Sequence, residues 1–299
     1  MDGKEKQKIC LTEKKLPNKW RDDGGVRDFF ITRKKRESGF CMAEPHYHTF
    51  YELFYLAAGN CRMFIDHSIY YIVPGDVVLI EPRRLHQTTY ESEAVTERSV
   101  VCFSDDILEQ MKLQCSEEGV RRAIATFKTA VRPENAPYVE SLFQKMEMED
   151  KRLDPYAEML KNNYLIELLS FLERNRSQEP AILQELNETE AAIQEAAGYM
   201  YYHYSEPMTL DELAGMVHMS PTYFSKKFRK VTGFGYKEYL THIRIEAAAR
   251  KLLEGKNSVT EVAVACGFSD GNYFGDAFRK AKGLSPNQYR KEARRQTFG

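Results

Sequence analysis

The last third of this chain contains the same short pattern twice. Thr209-Leu-Asp-Glu-Leu-Ala214 returns 49 residues later as Ser258-Val-Thr-Glu-Val-Ala263. Tyr223-Phe224, Phe228-Arg229-Lys230 and Gly233 return 50 residues later as Tyr273-Phe274, Phe278-Arg279-Lys280 and Gly283, and Tyr239 returns as Tyr289. The second copy therefore carries one extra residue in its turn. Repetition at a fixed period marks one supersecondary unit used twice. A plain helical bundle accounts for Tyr, Phe and Leu as core and Lys and Arg as a solvated face, but it has no need to repeat its turn chemistry.

Each copy reads as helix, tight turn, helix. In the first, Thr209 caps a helix whose Leu210, Leu213 and Val217 face inward, and Ser220-Pro221 opens a second helix, with Pro at the first helical position. In the second, Ser258 caps a helix carrying Val259, Val262 and Cys266. Gly267 permits the turn, and Ser269 is expected to cap the next helix. One helix, Lys237–Glu254, joins the two units. The outward faces of the second helices carry short polar, amide and basic groups, the kinds that reach base edges and phosphates in a major groove. The candidate DNA-contacting set is Ser220, Thr222, Tyr223, Ser225, Lys226, Lys227 and Arg229, then Asn272, Tyr273, Gly275, Asp276 and Arg279. Charge agrees in direction. Residues 190–299 hold 16 Lys+Arg against 12 Asp+Glu, whereas the whole chain is at −1. Only the C-terminal part suits a polyanion.

These residues resemble the AraC/XylS regulators. The run Val259–Arg290, VTEVAVACGFSDGNYFGDAFRKAKGLSPNQYR, is similar to that family's signature almost throughout. The resemblance implies two helix-turn-helix units on a shared connecting helix. Thr222, Ser225, Lys226, Asn272, Gly275 and Asp276 would be groove-facing, entering successive major grooves of double-stranded DNA. It also implies an N-terminal barrel that binds a small-molecule effector, a sugar being the example that the family suggests, a homodimer, and contact with RNA polymerase. In one place the copies differ: Gly283-Leu-Ser-Pro286 stands where the first has Gly233-Phe-Gly-Tyr236, so the helix after the first unit starts without Ser or Pro.

From Asp28 to about Phe103, apolar or aromatic runs (Phe29–Ile31, Tyr51–Ala57, Met63–Ile65, Tyr70–Val73, Val77–Ile80, Val100–Phe103) alternate with turn signals such as Gly59-Asn60, Asp66-His67 and Pro74-Gly75-Asp76. This spacing suggests a sandwich or barrel. Within it, His46-x-His48-x3-Glu52-x6-Gly59, then Pro74-Gly75, Pro82 and His86, resembles the cupin motif pair of a small jelly roll. Histidines at i and i+2 of a strand point to one face. His46, His48, Glu52 and His86 are thus candidates for effector binding and, as three nitrogens and one carboxylate, for a divalent metal. Three readings stand side by side: an effector pocket needing no metal, a metal that helps bind the effector, and a metal-dependent cupin enzyme fused to a DNA-binding domain. Structural histidines are an alternative for each, and Phe50, Phe54 and Tyr90 read as barrel core or as rings for stacking.

The expected architecture is α+β in two domains. A cupin-like barrel occupies 1–105, ordered from about 25, a helical dimerisation region and linker 106–188, and an all-α double helix-turn-helix 189–299. Residues 105–130 and 137–176 read as two helices. In the second, Met159, Leu160, Tyr164, Leu168, Leu169 and Leu172 make an apolar stripe that faces either the barrel or a second subunit. The polar stretch 174–188 reads as a linker. No apolar run is long enough to span a bilayer, and the polar start MDGKEKQKIC does not read as a secretory signal. None of the six cysteines (Cys10, Cys41, Cys61, Cys102, Cys115, Cys266) forms a C-x-x-C pair. They are expected to be buried small residues in a reducing cytoplasm.

Overall fold

The computed structural model describes residues 21–22, 25–26, 29–36, 46–90, 95–124, 128–175, 186–255 and 257–297. The lead-in before 21, most of the linker, Cys10 and Cys41 lie outside them. The N-terminal half begins with the short strands β1 (Arg21–Asp22) and β2 (Gly25–Val26), followed by β3 (Phe29–Arg36), β4 (Tyr51–Ala58), β5 (Cys61–Ile65), β6 (Ser68–Ile72), β7 (Asp76–Ile80), β8 (His86–Thr89) and β9 (Thr96–Phe103). Helices α1 (Asp105–Lys112) and α2 (Glu117–Ile124), strand β10 (Lys128–Ala130), and helices α3 (Ala136–Asp150) and α4 (Ala157–Arg174) complete it. Antiparallel pairing gives one sheet in the order β10-β7-β4-β9-β3 and a second in the order β6-β5-β8.

Strand alternation sorts the side chains into separate cores. On β4, β7 and β9, Phe54, Leu56, Val78, Ile80, Val100 and Cys102 point between the sheets, where they meet Cys61, Met63, Ile65 and Tyr90. Their neighbours Leu53, Tyr55, Val77, Leu79, Val101 and Phe103 point outward and pack under α1 to α4. Leu168, Leu169 and Leu172 of the apolar stripe lie buried there with Tyr164 packed against them, so that part of the stripe faces the barrel; Met159 is exposed.

Three local expectations are corrected. The expected helix 105–130 is interrupted, because Ser116 opens α2 and accepts the Gly119 N–H at 3.1 Å, and residues 128–130 instead pair with β7. The expected helix 137–176 is broken at Asp154-Pro155, where the Asp154 carboxylate accepts the Tyr156 N–H at 2.9 Å; proline cannot continue a helix that precedes it. Of the described cysteines, Cys61, Cys102 and Cys266 are buried but Cys115 is exposed.

The C-terminal half is helical: α5 (Glu188–Tyr202), α6 (Leu210–Met216), α7 (Pro221–Thr232), α8 (Tyr236–Glu254), α9 (Val259–Ala265), α10 (Gly271–Lys282) and α11 (Pro286–Thr297). Thr209 and Ser258 form capping boxes with Glu212 and Glu261, satisfying donors that a helix start would otherwise leave bare. Asp270, not Ser269, caps α10, accepting from the Asn272 and Tyr273 N–H groups. The extra residue of the second copy thus moves the cap by one.

The first unit shares its core with the barrel. Phe64, Ile69, Leu85 and Tyr47 on the outer side of the small sheet pack with Ile193, Met200, Phe228 and Tyr239. Arg62 pairs with Glu190 across this boundary, Tyr71 donates to the same carboxylate at 2.5 Å, and the Ile69 N–H donates to Gln194 at 2.7 Å. The second unit has its own core, built from Ile245 and Leu252 of α8 with Val262, Phe268, Phe274 and Phe278.

The turn of each unit needs a left-handed residue, supplied by His218 at φ 54° in the first and Gly267 at φ 82° in the second. A Cβ on Gly267 would stand 2.8 Å from the Ser205 carbonyl oxygen and 2.9 Å from Arg244 Nε, and Arg244 is itself tied to the Tyr204 and Glu206 carbonyls. Gly283 also has positive φ, but open space surrounds it. Gly283→Ala should therefore cost only the backbone penalty, about 1–2 kcal/mol, and Gly267→Ala about 3 kcal/mol once the clash is added. Denaturation of the two variants checks this; equal losses would show that the close approach at Gly267 relaxes freely.

Candidate nucleic-acid interface and metal centre

Helices α7 and α10 are built alike. Phe224 and Phe228 on one, and Phe274 and Phe278 on the other, are buried one turn apart and fix which side of each helix faces away. On α7 and its cap, Ser220, Thr222, Tyr223, Lys226 and Arg229 are exposed, while Ser225 and Lys227 are half-buried. The Lys227 ammonium lies over the Tyr223 ring at 5.1 Å. On α10, Asn272, Tyr273, Asp276 and Arg279 are exposed and Gly275 is half-buried. Arg229 is engaged, donating to Glu238 at 3.1 Å, and the Tyr273 hydroxyl lies 3.4 Å from that of Thr241. Lys230 and Lys280, which the sequence reading left out, are also exposed. Each sits four residues beyond a candidate contact, Lys226 or Asp276, and so next to it on the same face. Their recurrence in the repeated Phe-Arg-Lys triplet was the signal for including them.

In the barrel the four candidates come together. His46 and His48 lie in the segment leading into β4, Glu52 is on β4, and His86 opens β8. His46 and His86 are joined by a pair of backbone hydrogen bonds, 3.1 and 2.9 Å. One ligand atom from each of the four residues can be chosen so that all lie within 4.8 Å of one another. The three histidines are buried, and the Glu52 side chain is 16% exposed.

The hydrogen bonds fix the ring tautomers. His48 Nδ1 meets the Phe50 carbonyl at 2.7 Å and His86 Nδ1 meets the Arg84 carbonyl at 2.9 Å. A carbonyl only accepts, so both Nδ1 atoms carry hydrogen, and in each neutral ring Nε2 presents its lone pair. Those lone pairs are turned toward an acceptor: His48 Nε2 is 3.2 Å and His86 Nε2 4.0 Å from Glu52 Oε2. His86 Nε2 is buried with no hydrogen-bond partner. Burial works to raise the Glu52 pKa, but with a proton on His48 Nε2 its hydrogen bond to Glu52 and the charge of the neighbouring imidazoles outweigh burial and hold the carboxyl well below its usual range; without that proton, lone pairs and carboxylate face one another. Burial pushes His86 down to about 4, against the pull of Glu52. Lone pairs converging on a buried carboxylate call for a positive charge, and imidazoles held through Nδ1 are the usual form of metal-ligating histidine. Phe50 stacks on His48 at 4.1 Å, while Phe54 and Tyr90 are buried in the barrel core.

Residues 35–186 match the AraC-like ligand binding domain and residues 213–292 match a helix-turn-helix domain. The chain is 38% identical over 111 residues to YijO, an uncharacterized HTH-type transcriptional regulator of Escherichia coli (strain K12), across 37% of this chain and 39% of YijO. The chain therefore spans less than half of that relative's length. It is 23% identical over 251 residues to RhaR, an HTH-type transcriptional activator of Mannheimia succiniciproducens, across 82% of this chain and 86% of RhaR. Against the solved structure of ToxT from Vibrio cholerae the TM-score is 0.37 at 14% identity, covering 88% of this chain and 98% of that one.

If α7 and α10 face DNA, Lys226→Ala and Asn272→Ala should each weaken operator binding by about 1–3 kcal/mol. Lys226→Ala should lower affinity on all sequences and flatten the salt dependence if it contacts phosphate. Asn272→Ala should relax preference at one base pair if it reads a base edge. Affinity titrations at several salt concentrations, on matched and mutated sites, separate these outcomes.

Proposed function

Given that this chain belongs to the AraC family of helix-turn-helix transcription regulators, we propose that occupancy of its barrel changes how its two reading helices are presented to DNA. The protein is a sequence-specific DNA-binding regulator that responds to a small-molecule effector. The observation that carries the coupling is Tyr47. It lies between His46 and His48, so strand alternation turns it the other way, out of the barrel. Its side chain is fully buried against the C-terminal half. The hydroxyl donates to the Ala281 carbonyl near the end of α10 at 2.5 Å, the ring lies 5.1 Å from His242 of α8, and the Lys282 ammonium sits 5.2 Å over it. A shift of the 46–48 segment is thereby felt at the second reading helix.

His46, His48, Glu52 and His86 would hold a divalent cation of the kind that imidazole and carboxylate favour. When bound, the cation supplies a positive anchor for an effector oxygen. We read the barrel as a sensor and not a catalyst, in keeping with relatives that are named as regulators. We further propose a homodimer, for which Met148, Leu153, Tyr156 and Met159, exposed on α3, α4 and the turn between them, offer apolar surface, and contact with RNA polymerase as the output. The effect of an effector on transcription must come from differential affinity for two arrangements.

Calorimetric titration with zinc(II) or manganese(II) should show one site per chain in the wild type, and none in His86→Ala. Binding that survives His86→Ala would place the cation elsewhere. Tyr47→Phe keeps the ring and removes the hydroxyl with its bond to Ala281. It should leave cation affinity unchanged and shrink the cation's effect on operator affinity; an undiminished effect would assign the coupling to other contacts.

A further inference from the structure

A cavity of about 530 Å³ lies between the two halves of the molecule, outside the barrel. The barrel contributes Thr49, Arg83 and Arg84 to its wall, and the C-terminal half contributes Tyr201, Glu246 and Arg250. Neither half encloses it alone.

Charge on its wall is unevenly committed. Asp66 and Glu81 both pair with Arg84, at 2.5 and 2.6 Å, and Glu246 pairs with Lys282 at 2.6 Å. The Asp105 carboxylate stands near Tyr51, whose hydroxyl pKa it helps burial to raise. Among the described residues, the guanidinium groups of Arg83 and Arg250 have no ion-pair or hydrogen-bond partner, and both are exposed to the cavity solvent. Arg83 is also held in the left-handed region, at φ 67°, with its N–H bonded to the His48 carbonyl at 2.6 Å. That conformation is unfavourable for a residue with a Cβ and persists where the surrounding structure enforces it.

We propose that this cleft is a second ligand site, for a polyhydroxylated organic anion such as a sugar acid or a sugar phosphate. A guanidinium is suited to bidentate capture of carboxylate or phosphate, and one is supplied from each half. Among the described residues Asp105 is a wall carboxylate outside any ion pair, so a ligand ammonium would meet one uncommitted anion, whereas a ligand anion meets two uncommitted cations. A carboxylate has acceptor capacity in or out of an ion pair, so Glu81, Asp105 and Glu246 can take hydrogen bonds from ligand hydroxyls, and Tyr201 offers a ring face. A ligand bridging Arg83 and Arg250 favours the docked arrangement of the two halves over any other. The inference rests on the effector-responsive reading but places this ligand apart from the histidine cluster.

The test is thermal melting of the full chain with D-glucuronate, D-galacturonate and glucose 6-phosphate, with D-glucose as the uncharged control. At least one anion should raise the midpoint in a saturable manner, and glucose should not. Arg83→Gln and Arg250→Gln should each weaken the apparent affinity about tenfold, the scale of one lost charge-assisted hydrogen bond, while Arg152→Gln, an exposed cation outside the cleft, leaves it intact. Response to sugar acids alone, or to the phosphate alone, names the anionic group. No shift with any anion, an equal shift with glucose, a shift surviving both arginine substitutions, or one abolished by Arg152→Gln would overturn the proposal. Because melting is read without DNA, failure of the regulator reading would show separately, as loss of operator binding.

Discussion

The alternation of side chains along a β-strand is the constraint on which this molecule's organisation depends. A strand residue cannot choose its face independently of its neighbours. Met63 points into the barrel core while Phe64 points into the core of the first DNA-reading unit, and Arg62, on the same side as Phe64, reaches Glu190. The 46–48 segment obeys the same rule, with two imidazoles inward and a phenol outward. A shift of one residue would put Arg62 or Phe64 of β5 on the wrong face, and in the 46–48 segment would turn the phenol into the histidine cluster. The small sheet is therefore a shared wall. Its inner side carries the histidine cluster and its outer side the docking contacts, and neither can be altered without regard to the other.

Electrostatics reinforce this wall. Glu190 closes the capping box at the start of α5 with Asn187 and also accepts from Arg62 and Tyr71 of the barrel. One carboxylate thus satisfies a helix start and a domain contact together. Taking that charge out of water is costly unless it is fully paired, and here every partner comes from an element whose position it helps to define.

Much of this was legible in the chain. The repeat, with Thr209 and Ser258 before their helices, Pro221 at a helix start and Gly267 in a turn, announced paired helix-turn-helix units because those residues act locally. The spacing of His46, His48 and Glu52 was readable for the same reason, and His86 followed from the motif. What escaped depended on distant partners or on short signals. Strand β10 has three residues and exists because β7 offers an unpaired edge. The break at Asp154-Pro155 was written in the proline but outweighed by the apolar stripe around it. The stripe's own direction could not be decided from its period, since a core face and a subunit face look alike. The contact of Tyr47 with Ala281 joins residues 234 apart, and no local pattern encodes it. Nor did anything in the sequence mark Arg83 and Arg250 as sharing one cavity.

The two helix-turn-helix units descend from one pattern but are not mechanically equivalent. The first shares one core with the outer face of the barrel's small sheet, whereas the second closes a core of its own with α8. Regions that share a core open and close together, and regions with separate cores can do so independently. Amide protons of the first unit should consequently exchange with the kinetics of the barrel, while those of the second follow their own clock. The molecule is then better divided into a sensor fused to one anchored reading head and a second head on an α-helical lever. Any search along DNA would be conducted by that second head, with the first already committed to the sensor's orientation.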